Sequence, residues 1–250
     1  GKPAISYYDV TNRDLKYVYA KDISGSAWEV PITIDATEDV GEKTSLQVVN
    51  GHPAISYDRR GISTNSAMKY VRASDSTGMA WNNPVIIDSS SNGLASYPSS
   101  SLQIVNGNPA ISYQSFRSNQ DLDGFNLNYV TAADVSGDSW QKPITIDTLG
   151  IVGQYSSLQV VNGNPAISYY DQTKAELKYI RAVNPSGTIW LGSLSFATSG
   201  SVSGPDHSLR SINGHPAISY YEKGNLRYIR ATDTSGTIWG LRYLLILPVV

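Results

Sequence analysis

The chain has 250 residues, with 19 Lys and Arg set against 21 Asp and Glu and no cysteine. Charge this close to neutral, with no basic run longer than Arg59-Arg60, excludes a concentrated phosphate-binding face and with it nucleic acid as a partner. The missing cysteine excludes disulfide staples, thiolate zinc sites and cysteine nucleophiles.

In chain order, one heptapeptide, Gly-x-Pro-Ala-Ile-Ser-Tyr, opens at Gly1, Gly51, Gly107, Gly163 and Gly214, in steps of 50, 56, 56 and 51 residues. Repetition at this period, in short apolar runs broken by turn residues, predicts units that bury their faces only against one another. Residues 1–250 therefore read as a single domain, with repeats at about 1–44, 45–100, 101–156, 157–207 and 208–250. The chain opens on Gly1 without the segment that precedes the heptapeptide in later units, so it also reads as a fragment or a processed domain of a longer repeat protein.

Each unit holds four expected strands. The first is Ser-Leu-Gln-Val-Val at 45–49, with copies at 101–105, 157–161 and 208–212. Asn-Gly follows, at Asn50-Gly51 and three later copies; both residue types tolerate the positive φ of a type I′ turn, so the run into the heptapeptide is a hairpin. The third strand is 15–20, copied at 68–73, 127–132, 177–182 and 226–231. A connection of fixed length then runs from Asp22, Asp75, Asp134, Asn184 or Asp233 to Trp28, Trp81, Trp140, Trp190 or Trp239, always with Gly three residues before Trp. Asp or Asn caps its own turn there, Gly supplies positive φ, and Trp is expected to open the fourth strand and to pack between units.

This connection resembles the Asp-box, or BNR, repeat of sialidase-type β-propellers, Ser-x-Asp-x-Gly-x-x-Trp, although Asp here stands six rather than five residues before Trp. The wider unit at 161–171 resembles repeats of large bacterial surface and secreted proteins. The resemblance implies a turn architecture along the whole chain and carries no active site, because Asp-boxes in that family lie away from the catalytic face.

Four antiparallel strands in five units predict an all-β, five-bladed propeller. Residues 244–250 are expected to supply the missing first strand of the first blade and close the ring, a truncated array edge being the other reading. In such a blade the turns after strands one and three share one rim and keep their length. The other rim varies: the connection after strand two runs from 8–14 to the longer 114–126, and that after strand four from 36–44 to 89–100. Variable loops on a repeated scaffold are where binding is expected. Tyr8, Asp9, Asp58, Gln114, Tyr170, Asp171, Tyr221 and Glu222 lie there and form the candidate ligand site, aromatic faces mixed with planar acceptors suited to a glycan or a protein ligand. Packing tyrosines and turn-capping carboxylates are the structural alternative.

No catalytic set, metal site or cofactor is expected. His52 and His215 stand where other units have Lys2, Asn108 and Asn164; His207 beside Asp206 is the isolated histidine; Asp35, Asp88 and Asp147 recur singly. Arg72, Arg181 and Arg230 recur near the constant rim, where Tyr19 and Thr131 replace them, unlike the arginine triad of sialidases. The expectation is a non-enzymatic recognition or adhesion module, secreted or on a cell surface, without membrane insertion because the apolar run 243–250 is too short to span a bilayer. A sialidase-like glycoside hydrolase and a ligand-free spacer are the alternatives.

Overall fold

The computed structural model describes residues 1–61, 66–89, 99–116, 124–196 and 202–244, apart from the side chains of 202–206. The first sheet holds β1 (Ala4–Asp9), β2 (Asp14–Tyr19) and β3 (Ile32–Asp35). The second holds β4 (Asp39–Val49), β5 (His52–Arg60), β6 (Ala67–Arg72) and β7 (Val85–Ser89), and the third β8 (Ser100–Val105), β9 (Asn108–Phe116), β10 (Phe125–Thr131) and β11 (Ile144–Asp147). The fourth is β12 (Val152–Val161), β13 (Asn164–Asp171), β14 (Glu176–Arg181) and β15 (Leu194–Phe196), and the fifth β16 (Val202–Ile212), β17 (His215–Glu222), β18 (Asn225–Arg230) and β19 (Tyr243–Leu244). Neighbours pair antiparallel in simple up-and-down order, and the architecture is a five-bladed β-propeller. Among the described residues the first blade has three strands and the others four.

The hairpins form where Asn-Gly stands. Asn50, Asn106, Asn162 and Asn213 take φ of 46°, 49°, 45° and 49°, and the glycines that follow are also positive, as a type I′ turn requires. Tryptophan does not open the fourth strand. It makes an isolated bridge, Ala20↔Trp28 and four counterparts, and the ladder resumes four residues later at Ile32, Val85, Ile144, Leu194 and Tyr243. In the first three blades Pro31, Pro84 and Pro143 stand just before that restart, each without an N–H for the ladder.

Strands β4, β8, β12 and β16 pack on one another from sheet to sheet and so line the axis. They are stitched by serine: Ser45 Oγ accepts the Leu102 N–H at 3.0 Å, Ser101 Oγ that of Leu158 at 3.0 Å, and Ser157 Oγ that of Leu209 at 3.1 Å. The core lies between the blades. One element recurs at each junction: the third-strand tyrosine of one blade slides under the Gly-x-x-Trp turn of the next. Tyr17 meets Trp81, Tyr70 meets Trp140, Tyr129 meets Trp190 and Tyr179 meets Trp239, edge to face at 5.0 to 5.2 Å between centroids, and each tyrosine donates to a carbonyl of that turn. Edge-to-face pairs of this kind add about 1 kcal/mol beyond the area they bury.

The expected closure by 244–250 falls on residues of which only Leu244 is described. There Tyr243 pairs with Tyr228 and Leu244 with Arg227, as the outer strand of the fifth blade.

Candidate functional site

The variable rim is the end of the blades where strands β5, β9, β13 and β17 finish and the axial strands begin. The axial strands are irregular there. Register slips between Val40 and Thr44, between Val152 and Ser157, and between Val202 and His207 set several residues opposite one or two partners. Gly41 at φ 90° and Gly153 at φ 91° permit this, since a Cβ at either would stand 2.9 Å from Leu15 or 2.8 Å from Leu127. Bulged strands of this sort re-aim side chains beside sites. The slips fall around Glu42 and Lys43 in the second blade and around Gln154 and Tyr155 in the fourth.

The candidate residues separate by burial. Asp58, Gln114, Asp171 and Glu222 are buried between blades; Tyr8, Asp9 and Tyr170 are half-buried and Tyr221 is exposed. Asp9 caps its turn, accepting N–H bonds from Thr11 at 3.1 Å and Asn12 at 3.3 Å and the Asn12 amide at 2.8 Å; the side-chain bond from Asn12 leads in holding its carboxyl low. Gln114 donates to the Val152 carbonyl at 2.7 Å. Asp171 accepts the Lys174 N–H at 3.0 Å and stands 3.5 Å from Lys178 Nζ. Glu222 is held by Arg227 at 2.6 Å and Arg242 at 3.8 Å. Tyr8 donates to Asp39 at 2.8 Å.

Asp58 differs from these. Burial pushes its carboxyl up to about 6 against the Lys43 N–H it accepts at 3.0 Å, and the neighbouring Asp39 pushes the same way. Burial therefore favours the proton on Asp58 up to about pH 6, while the nearby carboxylate Asp39 is bonded by Tyr8. Glu42, paired with Arg60, borders the same corner. Asp39 and Glu42 were absent from the expected set, because the signal for them is the glycine-permitted bulge and not a repeat position.

The recurring aspartates Asp35, Asp88 and Asp147 prove to be junction residues. Each accepts a hydrogen bond from the heptapeptide tyrosine of the next blade: Tyr57 at 2.7 Å, Tyr113 at 2.9 Å and Tyr169 at 2.7 Å. Buried Lys69 and Lys178 neutralise Asp35 and Asp147. Seven residues after Trp190 the sequence has Ala197 instead, and the buried Tyr220 hydroxyl has no partner among the described residues.

His52, His215, Arg72 and Arg181 of the constant end are equally occupied, whereas Arg230 Nε is buried without a hydrogen-bond partner among the described residues. His52 and His215 bond the Ala73 and Ala231 carbonyls, as Asn108 and Asn164 bond those of Ala132 and Ala182. Arg72 and Arg181 each bind the carbonyls of the Val and Asn that form the first hairpin turn. A hollow of about 300 Å³ at this end is walled by Ala4, Tyr17, Leu46 and Val48 without a carboxylate. Among the described residues no group of three or more His, Asp or Glu could hold a metal. Residues 62–65, 90–98, 117–123 and 197–201, which include parts of the connections expected to vary, lie outside the described residues.

No protein-family model matches the chain, and no curated protein matches it. Solved structures do. An α-L-arabinanase of Penicillium chrysogenum, complexed with arabinobiose, superposes with a TM-score of 0.70 at 15% identity, covering 96% of this chain and 76% of that one. An α-L-arabinofuranosidase of Fusarium graminearum gives 0.68 at 12% identity, covering 96% and 76%, and a PL25 ulvan lyase bound to its saccharide gives 0.63 at 12%, covering 96% and 68%. At such identities the likeness shows the propeller fold alone, and it is to propellers of glycoside hydrolases and a polysaccharide lyase, not to sialidase-type Asp-box propellers.

These neighbours correct the expectation of a non-enzymatic module. The solved structures named above are enzymes that cleave glycans, so the absence of an enzyme activity no longer follows from the missing sialidase residues.

Proposed function

We propose that this chain is a glycoside hydrolase acting on a neutral glycan of the arabinan type, with its reacting groups at the variable end of the first two blades. The observation that carries the reading is Asp58, a carboxyl lifted to about 6 by burial beside Asp39. Asp39, half-buried at the rim and oriented by Tyr8, would meet the glycosidic oxygen, and Asp58, buried behind it, would hold the proton of the pair and pass it through Asp39 as the bond breaks, while water attacks the anomeric carbon and returns a proton to the pair. Tyr8, Tyr170 and Tyr221 would then supply faces for sugar rings along the rim, and a secreted or cell-surface location would suit such a substrate. The fold likeness to the arabinobiose-bound arabinanase supports the substrate class.

A neutral sugar fits better than an acidic one. At this end Arg60, Arg227 and Arg242 are each held by a carboxylate, and Arg72 and Arg181 bind carbonyls at the other end. The test is reducing-sugar release from arabinan, arabino-oligosaccharides and other neutral polysaccharides by the wild type and by Asp58→Asn, with melting curves to confirm folding. Release that falls on the order of 10²-fold or more in the variant supports the assignment. Release unchanged in the variant removes Asp58 from the chemistry, and no release from any neutral glycan overturns the reading.

A further inference from the structure

Among the described residues nine other than glycine have a positive φ; eight stand in turns and connections, and Tyr155, at φ 55°, lies inside β12. A bulky side chain is held in the left-handed region only where its surroundings fix it there, and strain of this kind collects at sites that use it. The bulge does not itself demand the strain. Lys43, at the matching place of the equally long bulge in β4, has no positive φ. Nor does packing account for it: Tyr155 is half-buried and is part of none of the four hydrophobic cores between blades.

Three neutral side chains accompany this ring. Gln154 pairs across the ladder with Tyr170, whose phenol is raised by burial and then by Asp171 and Tyr155, so the two tyrosines stand close together. Gln154 Nε2 donates to Gln172 Oε1 at 2.8 Å. Gln172 is also fixed at its backbone, where its N–H donates to the Ile151 carbonyl at 2.9 Å, and the Ile151 N–H in turn is taken by Thr173 Oγ1 at 2.8 Å. Among the described residues no further hydrogen bond holds Gln154 Oε1 or Gln172 Nε2, so the pair presents one acceptor and one donor in a fixed relation. The carboxylate beside them, Asp171, is at 0% exposure and stands 3.5 Å from Lys178 Nζ. The matching corner of the second blade is charged instead, with Glu42 paired to Arg60 and with Asp39 and Asp58.

We propose that Gln154, Tyr155, Tyr170 and Gln172 form a subsite for a neutral sugar ring, Tyr155 giving the face on which the ring stacks and the two carboxamides meeting its hydroxyls. A sugar has an apolar C–H face and an edge of hydroxyls that both donate and accept, which is the complement of a phenol ring beside a held amide pair. The inference rests on the neutral-glycan part of the proposed function and places a binding position outside the Asp39–Asp58 corner.

The test is affinity electrophoresis of the whole chain in native gels cast with arabinan, galactan, xylan or glucan, with reducing-sugar release measured on the same polysaccharides. The wild type should be retarded by at least one of them. Tyr155→Asn removes the ring and keeps a residue that tolerates the left-handed backbone; it should weaken that binding on the order of 10-fold, with melting curves confirming the fold. Tyr155→Phe keeps the ring face and should bind like the wild type. Gln172→Ala, at an exposed position, should weaken binding about 5-fold, and it decides the matter if Tyr155→Asn fails to fold. A wild type that none of the four retards overturns the proposal, as does a folded Tyr155→Asn, or failing that Gln172→Ala, that is retarded as strongly as the wild type. The two readings fail separately. Binding that depends on Tyr155 without any release upholds the subsite and removes the reaction, whereas release that depends on Asp58 with a KM indifferent to Tyr155→Asn upholds the reaction and removes the subsite.

Discussion

The ring of Tyr70 lies so close beneath Gly137 that a Cβ added to the glycine would stand 2.6 Å from Tyr70 Cε1. Glycine is required twice over, by φ of 79° and by the aromatic ring. Gly137→Ala should cost about 2 to 4 kcal/mol, roughly 1 from the left-handed backbone and the rest from overpacking. Gly25→Ala has the same backbone demand without the ring, and should cost only about 1 kcal/mol. Urea titrations of the two variants measure the difference; equal losses would mean that the tyrosine contact contributes nothing at Gly137.

Two buried heptapeptide tyrosines make a second paired test. Tyr169 donates to Asp147 in a site it shares with Lys178, whereas the Tyr220 hydroxyl has no partner among the described residues. Tyr169→Phe removes a hydrogen bond to a charged group and should cost on the order of 1.5 to 3 kcal/mol. Tyr220→Phe removes a desolvated hydroxyl and should be neutral or stabilising. Thermal melts of both distinguish hydrogen bonding from ring packing as the role of this position.

The turn aspartates set the acid limit of the fold. Asp134 accepts four bonds from Ser136, Gly137, Asp138 and Ser139 backbone; the little burial it has pushes its carboxyl up, but the Ser139 hydroxyl and these N–H groups outweigh that and hold it down to about 2. A carboxyl lowered in the folded state stabilises fully above its unfolded value of about 4 and loses that contribution as pH falls toward the folded value. Asp233 is held down to about 2 in the same way. Stability should therefore fall between about pH 4 and about pH 2, and Asp134→Asn should flatten part of that slope while lowering stability at neutral pH.

Asp58 has the opposite sign. Its carboxyl is raised, so the folded protein holds a proton the unfolded chain has released between about pH 4 and about pH 6, and stability falls as pH rises through that window. Asp58→Asn should remove this fall. Denaturation midpoints at closely spaced pH values read it directly, and a slope that persists in the variant would assign it to another group. If Asp58 is the proton donor, the alkaline limb of kcat/KM lies near the same pH.

The repeat made the blades legible, because Asn-Gly turns, fixed-length connections and apolar runs each have a local cause. Tryptophan was read correctly as a residue between units, but its partner was overlooked although a tyrosine two residues after Leu or Met68 recurs in every third strand. The reason is distance: the Tyr17 and Trp81 rings meet across 64 positions, and no local pattern names that pairing. Asp35, Asp88 and Asp147 were seen only as scattered acids for the same reason. At the rim, position after the heptapeptide tyrosine said which residues lie at the end of a strand, and not whether they face solvent or the next blade. Asp58 and Gln114 turned out to face the blade, whereas Tyr221 faces solvent.

The contact that places each tyrosine under the following turn also gives the molecule a direction. A blade is gripped by its predecessor at its Trp turn and grips its successor with its third strand, so the second, third and fourth blades are secured on both sides and the first and fifth on one. Opening should therefore begin at β1 and at β18 and β19 and travel inward. Amide hydrogens of Ile5 and Tyr228 would exchange well before those of Ile111 and Tyr129, although Ile5 matches Ile111 and Tyr228 matches Tyr129 in the repeat.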